Sequence, residues 1–281
     1  MTRWRLAHAL LLVLALVGGC SLKTKGKELQ IAASGRPPRE IYAHGEKMMK
    51  RGLFDKALED FQELRNFHRD DPLSVRAELA IAEIRFRKGD YDEARYAFQE
   101  FEDYHPNFAP DYVSYMVGYT IWKVAPRVVG RDQTLTRQAV NEWTGFGQLY
   151  PDSEYRDEVD KLLQRGIDRL ASKEMFVARF YRKRRAWAAV EGRSARLLQL
   201  FPSSRYAEEA LALLSEGYHR VGRVEDAKLA RERLVAMYPD SGRVRHVDHV
   251  LALPPGTPPE DVIFARPYRL PGYGLGGQAP Q

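Results

Sequence analysis

The chain has a single cysteine in 281 residues, Cys20. No internal disulfide can form, so the fold must rest on packing. It also lacks a membrane-crossing run: residues 6–17 with the two glycines that follow are apolar over about 14 residues, where a ~30 Å hydrocarbon core needs roughly 20. A nucleophile elbow and a phosphate loop are absent, which leaves catalysis without an evident site. Acid and base are nearly balanced, with 44 Lys and Arg against 38 Asp and Glu and a net charge of +6. A hydrophobic share of 44% with 29% charged residues suits a folded domain rather than a disordered chain.

What is present begins with an ordered set of signals at the amino terminus. Arg3 and Arg5 precede the apolar run, and Gly18 and Gly19 stand directly before Cys20, the order of n-region, h-region and small-residue cleavage site. Leu16-Val17-Gly18-Gly19-Cys20 resembles the bacterial lipobox, in which the thiol is diacylated, the chain is cut before it and the new amino terminus is acylated. The expected prosthetic chemistry is therefore the covalent diacylglycerol and N-acyl chain on Cys20, with no other cofactor and no metal. Several acyl chains exceed what stable membrane anchoring requires. Ser21 rather than Asp follows the cysteine, and resemblance to the non-Asp class of lipoproteins implies the periplasmic face of the outer membrane. Cleavage after residue 19 removes two arginines and no acid, lowering the charge from +6 to +4. In that compartment nucleic acid is not an expected partner, whereas acidic protein surfaces and anionic lipid head groups are.

Residues 20–38, with Lys23, Lys25, Lys27, Gly35, Pro37 and Pro38, lack apolar periodicity and read as a lipidated tether. Residues 251–281 carry Pro254, Pro255, Pro258, Pro259, Pro267 and Pro271 among glycines, which excludes regular helix and marks a Pro/Gly-rich tail. Gly272 to Gly277 formally match G-x-G-x-x-G, but a strand should precede that motif and a helix follow it, and neither is predicted.

Between the tails a repeat recurs. Prolines stand at 72, 106, 151, 202 and 239, and the last four each follow a small or β-branched residue by twelve: Ala94, Ala139, Val190 and Ala227. Gly52, Gly89 and Gly222 each precede such an alanine (Ala57, Ala94, Ala227) by five. This spacing predicts helix hairpins: glycine ends the first helix in a left-handed turn, the small residue admits close approach, and proline stops the second helix. Phe61, Phe98 and Trp143 follow the alanines by four and Leu64, Phe101 and Phe146 by seven, so they share the face that packs between hairpins. The pattern resembles the tetratricopeptide (TPR) repeat, with Gly45 and Gly118 at the small position of the first helix. The expected fold is an all-α, TPR-type helical-hairpin solenoid of about five repeats.

Two repeats are expanded: an insertion over 124–132 separates the helices of repeat three, and the proline-free stretch 153–185 predicts one long helix leading into repeat four. This divides the folded part into repeats one to three, residues 39–151, and the long helix with repeats four and five, residues 152–250. Ser194 and Arg231 occupy the Phe/Trp position in the last two repeats, as a weaker core or polar cap would.

In TPR solenoids the concave face is lined by the first helix of each hairpin. Counting from Gly45, Ala82 and Gly118 places Tyr42, Met49, Arg76, Phe86, Arg87, Tyr112, Tyr115, Tyr119 and Trp122 there, together with Glu46, Lys50, Leu79, Glu83 and Lys123. Such a groove offers stacking surfaces and charge-assisted hydrogen bonds to an extended peptide with aromatic side chains and a terminal carboxylate. Some of these rings could instead pack only against the insertion. Arg179, Arg182, Lys183, Arg184 and Arg185 form a basic cluster with two readings, a solvated helix end and a surface for an acidic partner. His246 and His249 could share a helix face for a metal, but no third ligand is evident and a surface pair is the expectation.

Several longer runs are more specific than the repeat spacing. They are residues 37–43 (Pro-Pro-Arg-Glu-Ile-Tyr-Ala), His105-Pro106 followed by 111–118 (Asp-Tyr-Val-Ser-Tyr-Met-Val-Gly), Arg131-Asp132-Gln133, and Ala186-Trp187-Ala188-Ala189-Val190. With the lipobox and five-repeat layout, they resemble the BamD family of TPR lipoproteins of the β-barrel assembly (BAM) machinery over residues 20–240. The resemblance implies a non-enzymatic subunit that binds the POTRA region of the barrel protein BamA, works with other BAM lipoproteins, and receives the C-terminal sorting signal of unfolded outer-membrane barrel proteins. It also places on Arg193 the family's partner-contacting arginine after the Trp of repeat four. The tail departs from shorter family members. A competing reading, a TPR lipoprotein that scaffolds or activates peptidoglycan synthesis, shares the anchor and repeats but gives no reason for the 111–118 run. If Cys20 carries the lipid, Cys20→Ser should move the protein from the membrane pellet to the soluble fraction after a high-salt wash; a variant that stays in the washed pellet contradicts the anchor.

Overall fold

The computed structural model describes residues 35–256, and these contain twelve helices. Cys20, the signal segment, most of the tether and the G-x-G-x-x-G run lie outside the described residues. The helices are α1 Pro38–Lys50, α2 Phe54–Phe67, α3 Pro72–Lys88, α4 Tyr91–Tyr104, α5 Pro110–Val124, α6 Thr134–Trp143, α7 Phe146–Leu149, α8 Arg156–Lys183, α9 Trp187–Leu200, α10 Ala207–Arg220, α11 Val224–Met237 and α12 Arg243–Leu251. Each packs chiefly on its neighbours in sequence, as a solenoid of helix hairpins requires.

The hairpins form as their sequence dictates. Gly52, Gly89 and Gly222 adopt φ of 72°, 88° and 79°, which ends the first helix of each hairpin at no steric cost. The second helices end at Tyr104, Leu149, Leu200 and Met237, two residues before Pro106, Pro151, Pro202 and Pro239. Pro72 works differently: it opens α3 at the first helical position, where Asp71 caps the helix by accepting a 2.8 Å bond from the Leu73 amide.

Close approach at the small positions carries the packing. A methyl group at Gly45 would lie 2.8 Å from the Phe61 ring, and one at Gly118 would overlap the Trp143 indole. Phe61, Phe98 and Trp143 are fully buried in consequence, with Leu64, Phe101 and Phe146 beside them. In repeat three the second helix breaks at Gly145 (φ 86°) into α6 and α7, yet Phe146 still reaches the core. The 124–132 insertion is a loop pinned by the buried Gln133, whose side-chain amide donates to the carbonyl of Val128 at 3.0 Å.

Helix α8 joins two cores. Its 28 residues span about 42 Å. Val159 and Leu162 belong to the core of repeats two and three, while Leu170, Ala171, Met175 and Ala178 pack with α9 and α10. Gly166, its only glycine, lets α8 close on α6, since a methyl there would overlap Val140.

In the last repeats small groups replace bulk. Ser194 is fully buried, and Ser215, twelve before Ala227, donates to the Ala227 carbonyl at 2.7 Å. Arg231 bridges α11 to Asp248 on α12 as a polar cap. After α12 the chain folds back: the Gly256 amide donates to the His219 carbonyl at 3.1 Å, and the His219 ring lies 3.0 Å from the Leu253 carbonyl. Two glycine substitutions separate packing from helix propensity. Gly118→Ala should lower stability by about 1–3 kcal/mol through overpacking on Trp143. Gly192→Ala, in α9 with nothing within 4 Å of the added methyl, should raise it by about 0.5–1 kcal/mol. Thermal melts of both variants check this, and a rise in both contradicts the close-approach account.

Candidate functional site

The concave residues divide into two groups. Tyr42 packs on Phe61 at 5.6 Å within the core of repeat one, with Met49 beside that core; burial and then the Glu46 charge raise the Tyr42 pKa against the opposing pull of exposed Arg76. The second group is continuous. Ring centroids run from Phe86 to Tyr119 at 5.4 Å, Tyr119 to Tyr115 at 5.5 Å, Tyr115 to Tyr155 at 5.1 Å and Tyr155 to Tyr112 at 5.4 Å, linking α3, α5 and the start of α8.

The path follows from helix geometry. Tyr115, Tyr119 and Trp122 are spaced four and three apart on α5, which puts them on one face. Tyr155, at the foot of α8, stacks on Tyr115 with an interplanar angle of 8° and extends the row to a third element. The rings thus pack against one another and α8. All are half-buried, so each keeps part of its surface open.

Polar groups set the ends of the row. The Tyr112 hydroxyl donates to Glu83 at 2.9 Å, and Arg87 lies 3.7 Å from the same carboxylate. Burial raises the pKa of Glu83 against the opposing pull of Tyr112 and Arg87. The Tyr112 hydroxyl is likewise raised, first by burial and then by the Glu83 charge, and Tyr155 is pushed up to about 12, mainly by burial. These phenols therefore remain neutral donors near pH 7. At the other end Lys123 sits 5.2 Å from the Tyr119 ring and 5.9 Å from Phe86, a cation held over aromatic faces. Trp122 lies between the Trp143 indole, 6.3 Å away, and the Arg169 guanidinium, 3.7 Å over its ring.

Arg193 occupies a separate place on α9. It pairs with Glu174 at 3.1 Å, a carboxylate it shares with Arg196 at 3.2 Å, and an open-sided cavity of about 290 Å³ is lined by Tyr181, Ala189, Gly192, Arg193 and Arg196. Part of the basic cluster before it is satisfied internally. Arg179 makes a bidentate pair with Glu209 at 2.7 and 2.6 Å, Arg182 binds the buried Glu216 at 2.9 Å, and Arg184 stacks 3.5 Å over Phe180. His246 lies 3.5 Å from Glu216 and 3.2 Å from Arg182, within that network.

Counting along TPR positions missed Tyr155 and Arg169, because Tyr155 directly precedes the long linking helix and Arg169 lies on it, and neither belongs to a first helix of a hairpin. Gly166 was the available signal: an interior glycine in a helix-favouring stretch marks a close crossing, and the helix that crosses there must bring its flanking side chains into the groove.

These features define a class of protein: a TPR-type solenoid whose inner face presents an aromatic row between an acidic and a basic end. The YfiO family model, described as outer membrane lipoprotein, matches residues 35–234. The chain therefore belongs to the YfiO family of outer membrane lipoproteins. Outer membrane protein assembly factor BamD of Xylella fastidiosa strain Temecula1 is 27% identical over 248 residues, covering 83% of each chain. The protein of that name from Caulobacter vibrioides is 29% identical over 221 residues, covering 78% of this chain and 72% of that one. Among solved structures, a thermophilic TPR protein of Thermus thermophilus aligns at 15% identity with a TM-score of 0.35, over 77% of this chain and all of that one.

Proposed function

We propose that this chain is a non-catalytic, lipid-anchored subunit at the periplasmic face of the outer membrane that acts in the assembly of β-barrel proteins. The observation that carries this reading is the continuous aromatic row across α3, α5 and α8, found in a chain whose relatives are named outer membrane protein assembly factors.

In this account the row receives an extended segment of an unfolded barrel protein. Ring faces pack its aromatic and aliphatic side chains, and the neutral phenols and Glu83 meet its backbone amides. No group in the row is required to act as nucleophile or base. Cys20 supplies the attachment to outer-membrane lipid. The second half of the solenoid binds a larger partner, for which the POTRA region of a BamA-like barrel protein is the candidate, with Arg193 and its cavity at the contact. Further lipoproteins of the assembly machinery complete the set of partners.

Arg193 suits that role physically. It is half-exposed and held by Glu174, so its remaining guanidinium donors face outward from a fixed position. Tagged full-length protein extracted in mild detergent should bring down a POTRA-bearing barrel protein. Arg193→Glu should cut that recovery by roughly tenfold, the scale of a lost charge-assisted contact, with the helical circular dichroism unchanged. Undiminished recovery removes Arg193 from the interface.

A further inference from the structure

The outer face of α8 changes character along its length. Arg169 lies 3.7 Å over the Trp122 ring of α5, and Phe176 and Phe180, seven and eleven residues further on, return to that same face of the helix. They are left largely in water. Phe176 is 61% and Phe180 42% exposed, with the Arg184 guanidinium 3.5 Å over the second ring. Two large rings one turn apart form an apolar patch that gains from a cover.

The end of the helix adds charge. Arg179 and Arg182 are paired with Glu209 and Glu216, but among the described residues Lys183, Arg184 and Arg185 have no carboxylate within ion-pair distance. All three are exposed where the chain turns from α8 into α9, a turn made at Arg185 with φ 56°. Cations suit a helix carboxyl terminus, which accounts for the three charges and not for the rings beside them.

The described chain ends beside this corner. The Gly256 amide donates to the His219 carbonyl at 3.1 Å, and a methyl group on Gly256 would overlap the Arg220 carbonyl, so glycine is required at that seat. Arg220 lies 5.6 Å from the Trp187 ring centroid, two residues after Arg185. Residues 257–281 lie outside the described residues, yet their sequence supplies what the corner lacks. Glu260 and Asp261 are the only acids after Gly256, and Val262-Ile263-Phe264 follow them directly. Five residues of chain reach at most about 17 Å and eight about 27 Å. That is ample, since α10 and α8 already meet through Glu216 and Arg182 at 2.9 Å.

We propose that residues 260–264 of this chain bind its own α8–α9 corner, Glu260 and Asp261 pairing with Lys183, Arg184 and Arg185 while Val262, Ile263 and Phe264 cover Phe180 and Phe176. The tail is then an intramolecular ligand, and an acidic partner reaches the basic corner only by displacing it. Linkage in one chain makes a weak contact sufficient. A connection this short holds the segment at an effective concentration on the order of millimolar, so a contact that is millimolar between separate molecules is about half formed. None of these residues belongs to the aromatic row, and the corner contact holds or fails independently of the groove.

The test places the photo-crosslinker p-benzoylphenylalanine at Phe180, and in a second protein at Phe176, in the purified full-length chain in detergent, and maps the products by mass spectrometry. Both exposed positions should crosslink within the molecule to residues 257–266, at a yield independent of protein concentration, and the same probe at exposed Tyr96 on α4 should not. Glu260→Lys with Asp261→Lys should cut the yield about fivefold, the scale of two exposed ion pairs lost. Adding Lys183→Glu with Arg184→Glu to that variant should restore it. Crosslinks that miss the tail, or a yield that the charge reversal leaves unchanged, overturn the proposal. So do two further outcomes: dimeric products that rise with concentration give the face to a second copy, and capture of phosphatidylglycerol from added vesicles in place of the tail gives it to lipid.

Discussion

One rigid helix serving two cores is the constraint on which the rest of this structure depends. Helix α8 buries Val159 and Leu162 against repeats two and three, and Leu170, Met175 and Ala178 against repeat four. Its close crossing over α6 at Gly166 fixes where its side chains fall. Without that crossing, Tyr155 would not reach Tyr115 and Arg169 would not cover Trp122. The inner face of the first half is therefore completed by the element that begins the second.

The two halves differ in how they handle charge. In the second half carboxylates on α10 reach across to arginines on α8: Glu209 to Arg179, and the buried Glu216 to Arg182. In both pairs the carboxylate is the more buried partner and the guanidinium stays partly in water, so loss of the arginine would leave the more buried charge, Glu216 above all, without its partner. In the first half Lys123 lies over the Tyr119 and Phe86 rings and Arg169 over Trp122, where its Nη1 is buried without a hydrogen-bond partner.

Much of the fold was legible because its signals are local. The left-handed glycines at 52, 89 and 222, the small positions at 45 and 118, the loop at 124–132 and the long helix all follow from spacing that a single strand of sequence carries. The break at Gly145 was less visible, since Trp143 and Phe146 keep their helical spacing from Ala139 and both are buried despite it. The groove was legible on α3 and α5, where repeat positions name the inward side chains. Its third wall was not, because α8 lies outside the repeat count and Tyr155 meets Tyr115 across forty residues of chain. The basic run 179–185 shows the same limit: composition reveals five cations, and only tertiary packing shows that Glu209 and Glu216 absorb two of them.

The central claim is that α3, α5 and α8 form one face that holds an unfolded barrel segment. It is tested most directly by placing a photo-crosslinking phenylalanine analogue, in cells, at Arg87 on α3 and separately at Glu158 on α8, both exposed residues flanking the aromatic row. The account predicts that both positions capture the C-terminal segment of the same outer-membrane barrel precursors, while the exposed Tyr96 on α4 does not. Equal capture from Tyr96, or capture from neither wall of the groove, would contradict it.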